Sequence, residues 1–192
     1  MVHSPEEGVV YRRLASITLG VALAMGMVGI AAAPAGAVTV QTCKTVRGTI
    51  TLVPGLAAKA ANQTVTIKGT ESACTPSAKT GGSGAFLSKF VVKNASCTTL
   101  AKGGATFTGP GKTTWKSGKT TSYTITYKDG KAPPATNLFN ITMTGRSTAG
   151  LFSAKRFAGG IKINPNSINS NACGTAPFKS AKWTQLKAWT LS

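Results

Sequence analysis

Groups that transfer protons near neutral pH are almost absent from this chain of 192 residues. It contains a single histidine, His3, and four carboxylates, Glu6, Glu7, Glu71 and Asp129. General acid–base catalysis normally uses histidine or a pair of carboxylates near the reacting atoms. After residue 37 no histidine remains, and Glu71 and Asp129 occur in unlike contexts. We therefore predict a protein that is not an enzyme and has no group titrating near neutrality.

Motifs for metal and cofactor binding are also missing. The four cysteines include no Cys-x-x-Cys pair, and no histidine supplies the spacing of a zinc site. The same absence excludes a dithiol redox site. Gly109-Pro110-Gly111-Lys112 lacks the pattern of a phosphate-binding loop and a following helix, so these glycines are interpreted as turn residues. No cofactor and no metal are predicted.

The amino terminus has the pattern of a secretory signal peptide. Arg12 and Arg13 precede an uncharged, mostly apolar run over 14–30, which ends in small residues with an Ala35-x-Ala37 cleavage site. An uncleaved membrane anchor is the main alternative, since the run is close to the shortest length that spans a bilayer. We predict a signal peptide over 1–37 and a secreted domain over 38–192, with no stable membrane span after cleavage. The expected location is extracellular or associated with the cell envelope.

Positive charge dominates the predicted mature chain. Removal of the leader leaves 20 basic residues and 2 acids, and the full chain carries a net charge of +18. Such a surface attracts polyanions by long-range electrostatics and counterion release. Two segments combine basic with aromatic residues, and their candidate binding residues are Lys112, Trp115, Lys116, Lys119, Lys182, Trp183, Lys187 and Trp189. Two alternatives remain open. The lysines could serve only to keep the sheet soluble, and the tryptophans could belong to the core.

Alternating apolar and β-branched residues predict an all-β fold. No window of 11 or more residues carries an apolar stripe at helical spacing without intervening Gly, Pro or dense Thr. About eight short strands are separated by turn signals, among them Ser117-Gly118 and Asp129-Gly130. This spacing is typical of a single antiparallel β-sandwich, or a flattened barrel.

Four cysteines in an exported chain predict two disulfides, although three pairings are possible. Sequential pairing, Cys43–Cys74 and Cys97–Cys173, is favoured because each half of the chain then ties together its own strands. Each bond would stabilise the fold by roughly 3–5 kcal/mol through restriction of the unfolded chain.

The chain resembles the small exported, two-disulfide β-proteins of high-GC Gram-positive bacteria. The similarity is carried by the Ala-rich leader, by Thr49-Ile50-Thr51-Leu52 after Cys43, by the segment from Val65-Thr66-Ile67 to Cys74, and by 150–161. Most proteins of this group have no assigned function. The resemblance therefore implies a fold and an exported location, and it carries over no catalytic residues.

Our leading hypothesis is a protein that adheres to an anionic polymer of the cell wall or extracellular matrix, and to nucleic acid only non-specifically. One alternative is a module that binds carbohydrate or another small ligand through the Trp183 and Trp189 face. Another is a secreted inhibitor or effector that binds a protein partner, for which the Asn-rich loop 164–171 is the candidate surface.

Overall fold

The computed structural model describes residues 39–130, 140–167, 171 and 173–192. The predicted signal peptide and its cleavage site lie outside these residues. The described chain forms eight strands, one short α-helix and one short 3₁₀ helix, with these bounds: β1 (Gln41–Leu56), β2 (Ala61–Thr75), β3 (Gly84–Ala95), α1 (Cys97–Ala101), β4 (Thr106–Trp115), β5 (Thr120–Asp129), β6 (Asn140–Gly150), β7 (Arg156–Ile163), the 3₁₀ helix (Pro165–Ser167) and β8 (Phe178–Leu191).

The eight strands form one antiparallel sheet that closes into a barrel. Each strand pairs with the next along the chain, and β8 pairs with β1, for example Ile50 with Ala181. The all-β class and the predicted number of strands are confirmed. A sandwich of two sheets is wrong, because the β1–β8 pairing joins the ends of the sheet; of the two architectures expected from the sequence, the barrel is the one observed.

Side chains alternate between the inside and the outside of the barrel, as the period of a strand requires. On β3, Phe86 and Val92 are buried, whereas Lys89 and Val91 are exposed. The interior is filled by aliphatic and aromatic side chains from all eight strands: Val46, Ile50, Leu52, Val65, Ile67, Phe86, Val92, Trp115, Tyr123, Ile125, Tyr127, Met143, Phe157, Ile161, Ile163, Trp183, Trp189 and Leu191. An eight-stranded barrel is just wide enough for side chains to fill it.

Two disulfides reinforce the barrel, and both have the predicted pairing. Cys43–Cys74 joins directly opposed residues of β1 and β2. Cys97–Cys173 ties the start of α1 to the connection between β7 and β8. The second bond joins residues 76 apart in sequence. It therefore closes the longer loop and restricts the unfolded chain more than the first bond does.

Helix α1 is held at its amino terminus by a capping box. The Ser96 hydroxyl accepts a hydrogen bond from the Thr99 amide, and the Thr99 hydroxyl accepts one from the Ser96 amide. Such reciprocal bonds satisfy amides that the first turn of a helix leaves free. Among the described residues, no helix has the length and apolar character needed to span a membrane.

Trp183 fits inside the barrel because glycines face it on β1 and β2. Gly48 pairs with both Gly69 and Trp183. A Cβ added at Gly69 would lie 2.5 Å from the indole of Trp183, and one at Gly48 would lie 2.7 Å from it. Protein interiors are packed too densely to accept an extra methyl group at that distance.

We predict that Gly69→Ala destabilises the protein by about 1–3 kcal/mol, because the new methyl group overpacks the interior against Trp183. Thr49→Ala, on the exposed face of the adjacent strand β1, is the matched control and should change the free energy of unfolding by less than about 0.5 kcal/mol. Denaturant unfolding followed by Trp fluorescence measures both. Equal stabilities for the two variants would contradict this packing.

Candidate functional site

Charges of opposite sign are segregated between the outside and the inside of the barrel. Every described lysine and arginine is exposed except Lys155, which is partly buried. The two described carboxylates, Glu71 and Asp129, are each only 3% exposed. The outer surface of the described chain therefore presents cations without neighbouring acidic side chains.

Five of these cations lie at exposed positions along a band that runs around much of the barrel. We call this set the basic wall: Arg47, Lys68, Lys112, Lys162 and Lys182. Thr49 pairs with Lys68 on one side and with Lys182 on the other, so both lysines lie in one row across β2, β1 and β8. Since neighbouring strands are about 4.8 Å apart, the Cα atoms of the two lysines are separated by about 10 Å.

A second row continues the basic wall beside the first. Thr184 pairs with Arg47 on β1 and with Lys162 on β7. In the other direction, Leu87 pairs with both Lys68 and Lys112, which extends the first row to β4. The five cations thus lie on β7, β8, β1, β2 and β4, and with the intervening β3 the basic wall spans six of the eight strands.

A shallow polar groove of about 320 Å³ lies at one edge of the basic wall. Hydroxyl and amide side chains line it together with Lys182: Thr49, Asn164, Asn166, Ser167 and Ser180. The Ser167 hydroxyl accepts a hydrogen bond from the Lys182 amide at 2.7 Å, which fixes the 3₁₀ helix beside β8. The groove offers hydrogen-bonding groups next to positive charge.

The sequence-predicted lysines occupy different parts of this surface. Lys112 and Lys182 belong to the basic wall, whereas Lys116 and Lys119 lie at the β4–β5 turn. Lys187 is exposed on β8, opposite Gly160. Arg47, Lys68 and Lys162 were not predicted from the sequence. They approach Lys112 and Lys182 only through strand pairing between distant parts of the chain.

The proposed aromatic platform is wrong. Trp115, Trp183 and Trp189 are at most 3% exposed and lie inside the barrel. Strict alternation places Lys187 on the same face as Trp183 and Trp189, but the register of β8 shifts against both β1 and β7 between Thr184 and Thr190. Such a bulge reorients side chains, so both tryptophans point inward while Lys187 stays exposed.

The buried tryptophans form part of an aromatic cluster instead. Trp183 and Trp189 are stacked with ring centroids 5.9 Å apart, and Phe86 and Phe157 meet Trp189 edge to face. The Trp115 indole donates a hydrogen bond to the Thr121 hydroxyl at 2.8 Å. These contacts make the tryptophans structural residues of the interior.

Glu71 is a titratable group inside the barrel. The Thr113 hydroxyl donates a hydrogen bond to its carboxylate at 2.7 Å. Burial raises the pKa of Glu71 to about 7, although the Thr113 hydrogen bond opposes the shift. The expectation that no group titrates near neutrality is therefore wrong, and the sequence offered no signal of this environment.

Glu71 also lies beside the Cys43–Cys74 disulfide. Cys43 Sγ is 3.5 Å from one carboxylate oxygen; in a disulfide this sulfur carries no hydrogen and donates no hydrogen bond. The two sulfurs and the carboxylate are close enough to one another to hold a metal ion. The disulfide removes both sulfurs as thiolate ligands, which are the form that binds metal.

Comparisons with protein families, with curated proteins and with solved structures found no match to this chain.

We predict that Glu71→Gln removes much of the pH dependence of stability between pH 4.5 and 7. Because the folded pKa lies above the ordinary value of 4.5, the native state holds a proton that the unfolded chain has released. Wild-type stability is therefore greatest below pH 4.5, falls as pH rises to 7 and is constant above that. The fall should reach about 3 kcal/mol.

Thermal unfolding at high ionic strength measures this effect while the surface cations are screened. Burial also raises the pKa of Asp129, so Asp129→Asn serves as the comparison variant and Glu71→Gln/Asp129→Asn should show the flattest profile. A wild-type protein whose melting temperature is constant or rises from pH 5 to pH 7 would contradict the assignment.

Proposed function

We propose that this protein is a non-enzymatic, secreted or envelope-associated barrel that adheres to anionic polymers through its basic wall. The segregation of charge carries the proposal: the described cations face solvent, whereas both described carboxylates are buried. A polyanion approaching any described part of the surface therefore meets no acidic side chain.

The basic wall suits a polymer better than a single small anion. Its cations are spaced along and across neighbouring strands rather than converging on one point. Each bound anionic group then displaces counterions, so the affinity grows with the number of contacts. This geometry supports recognition of a repeating phosphate, sulfate or carboxylate polymer with little selectivity for sequence, nucleic acid included.

The polar groove gives the wall a second means of contact. Thr49 and Lys182 line the groove and also belong to the row of residues that contains Lys68. Hydroxyl groups of a sugar or polyol backbone would hydrogen-bond there while the charged groups contact the lysines. The proposed ligands are therefore wall polymers and acidic polysaccharides that carry both hydroxyl and anionic groups.

Buried Glu71 adds no catalytic role to the proposal. Its carboxylate lies inside the barrel, bonded to Thr113 and beside a disulfide, with 3% of the residue exposed. A general acid or base must come within hydrogen-bond distance of the substrate. In the described part of the chain, the cavity that adjoins Glu71 is about 10 Å³, which is too small for a substrate.

We predict that Lys68→Gln/Lys182→Gln weakens binding to heparin and to isolated Gram-positive cell walls. The wild-type protein should be retained at low ionic strength, and the logarithm of its affinity should fall linearly with the logarithm of salt concentration. Loss of two contacts should make this line less steep, lowering the magnitude of its slope by about two. Resin retention and fluorescence anisotropy at several salt concentrations measure these effects.

Lys59→Gln/Lys102→Gln is the control of equal charge. Both lysines are exposed, on the β1–β2 connection and after α1, away from the basic wall. This pair should leave the slope close to the wild-type value. An equal loss of affinity in both double variants would show that net charge alone drives binding. A wild-type protein that stays unbound at low salt would contradict the proposed function.

A further inference from the structure

An apolar cavity of about 60 Å³ lies inside the barrel, at the end where β3 leads into α1 and β4 begins. Aliphatic and aromatic side chains line it from seven of the strands and from Leu100 of α1. Gln63 and Asp129 also border the cavity, but neither turns a polar atom towards it. The site therefore suits an apolar group and offers no hydrogen bond to a polar one.

The size of the cavity fits the end of an alkyl chain. An apolar cavity of about 150 Å³ holds benzene, so the space here accommodates about two or three carbon atoms. A free molecule of that size gains little affinity, because each buried methylene group contributes only about fourfold. A longer chain gains more if the part that follows its end also lies against apolar side chains on the way to solvent.

Such a route lies between β3 and β4. Both strands are fully described, and they pair with each other only between 84–88 and 111–115. Beyond the paired part the cavity is bordered by three apolar side chains, which we call the portal residues: Phe90, Leu100 and Phe107. All three are only partly buried, so the cavity lies close beneath the surface there. Their side chains can rotate without breaking a ladder of backbone hydrogen bonds.

Four exposed lysines lie on the chain segments that form or adjoin the portal. Lys89 and Lys93 are on β3, and Lys102 follows α1. Lys128 on β5 pairs with Thr106, the first residue of β4. We call these four cations the portal lysines. Since both described carboxylates are buried, the surface here attracts an anionic head group and repels a cationic one.

We propose that this end of the barrel binds a single-chain fatty acid. The end of the alkyl chain fills the cavity, the middle of the chain lies against the portal residues, and the carboxylate stays at the surface among the portal lysines. The cavity is too small for a second acyl chain, which excludes a membrane lipid with two chains. This site is separate from the basic wall and does not depend on adhesion to a polymer.

Titration of the purified protein with octanoate, followed by NMR of its methyl groups, tests the location of the chain. Octanoate should shift the methyl signals of Ile50, Val65 and Val92, which line the cavity. The signals of Val46 should stay unchanged, because this residue is buried in the core but lies outside the lining. Octanoate should bind at least about tenfold more tightly than butanoate, since its additional methylene groups become buried.

Octylammonium, with the same chain and the opposite charge, tests the head group. At low salt, octanoate should bind at least about tenfold more tightly than octylammonium, and added salt should reduce this preference. Lys93→Gln/Lys102→Gln should also reduce the preference. Lys116→Gln/Lys119→Gln is the control of equal charge, because both lysines lie at the β4–β5 turn, at the opposite end of the barrel, and it should bind octanoate like the wild type.

Two variants that occupy the space complete the test. Ala95→Leu should fill the cavity, which Ala95 lines, and Leu100→Trp should block the portal at a half-buried position that tolerates bulk. Thr98→Leu, at an exposed position of α1, is the control and should bind normally. The proposal is overturned if octanoate leaves the cavity methyl signals unchanged, if butanoate or octylammonium binds as tightly as octanoate, or if binding survives both blocking variants.

Discussion

Pairing of β1 with β8 is the constraint on which the rest of this structure depends. It joins the ends of the sheet and gives every strand residue either an inner or an outer position. A closed sheet of eight strands has little interior space, so the large side chains must match one another in shape. Trp183 therefore lies over Gly48 and Gly69, and Trp189 lies against Gly159.

Closure also explains the separation of charge. Lysines on outward positions remain hydrated, whereas Glu71 and Asp129 occupy inward positions of β2 and β5. Burial raises the pKa of both carboxylates, since desolvation disfavours the charged form. The interior acids thus contribute little negative potential outside, and the exterior acts as a cationic surface.

Much of the local structure could be predicted from the sequence. Alternating apolar and β-branched residues predicted an all-β fold of about eight strands, and the cysteine order favoured the pairing that is observed. Local patterns could not distinguish a sandwich from a barrel, because the difference is one pairing between strands more than 120 residues apart in sequence. The exposure of Lys187 beside two buried tryptophans could not be predicted, because a bulge in β8 breaks the alternation. The basic wall was only partly predicted from the sequence. Arg47, Lys68 and Lys162 join Lys182 in one surface only through the pairing register of the strands.

The most direct test of the central claim is chemical labelling of carboxylates with a water-soluble carbodiimide, read by peptide mass spectrometry. The same protein, unfolded and with its disulfides reduced, serves as the reactive reference. The account predicts that Glu71 and Asp129 stay unmodified in the folded protein and react once the disulfides are reduced and the chain is unfolded. Modification of both side chains in the folded protein, at a rate comparable to that in the unfolded chain, would contradict the segregation of charge.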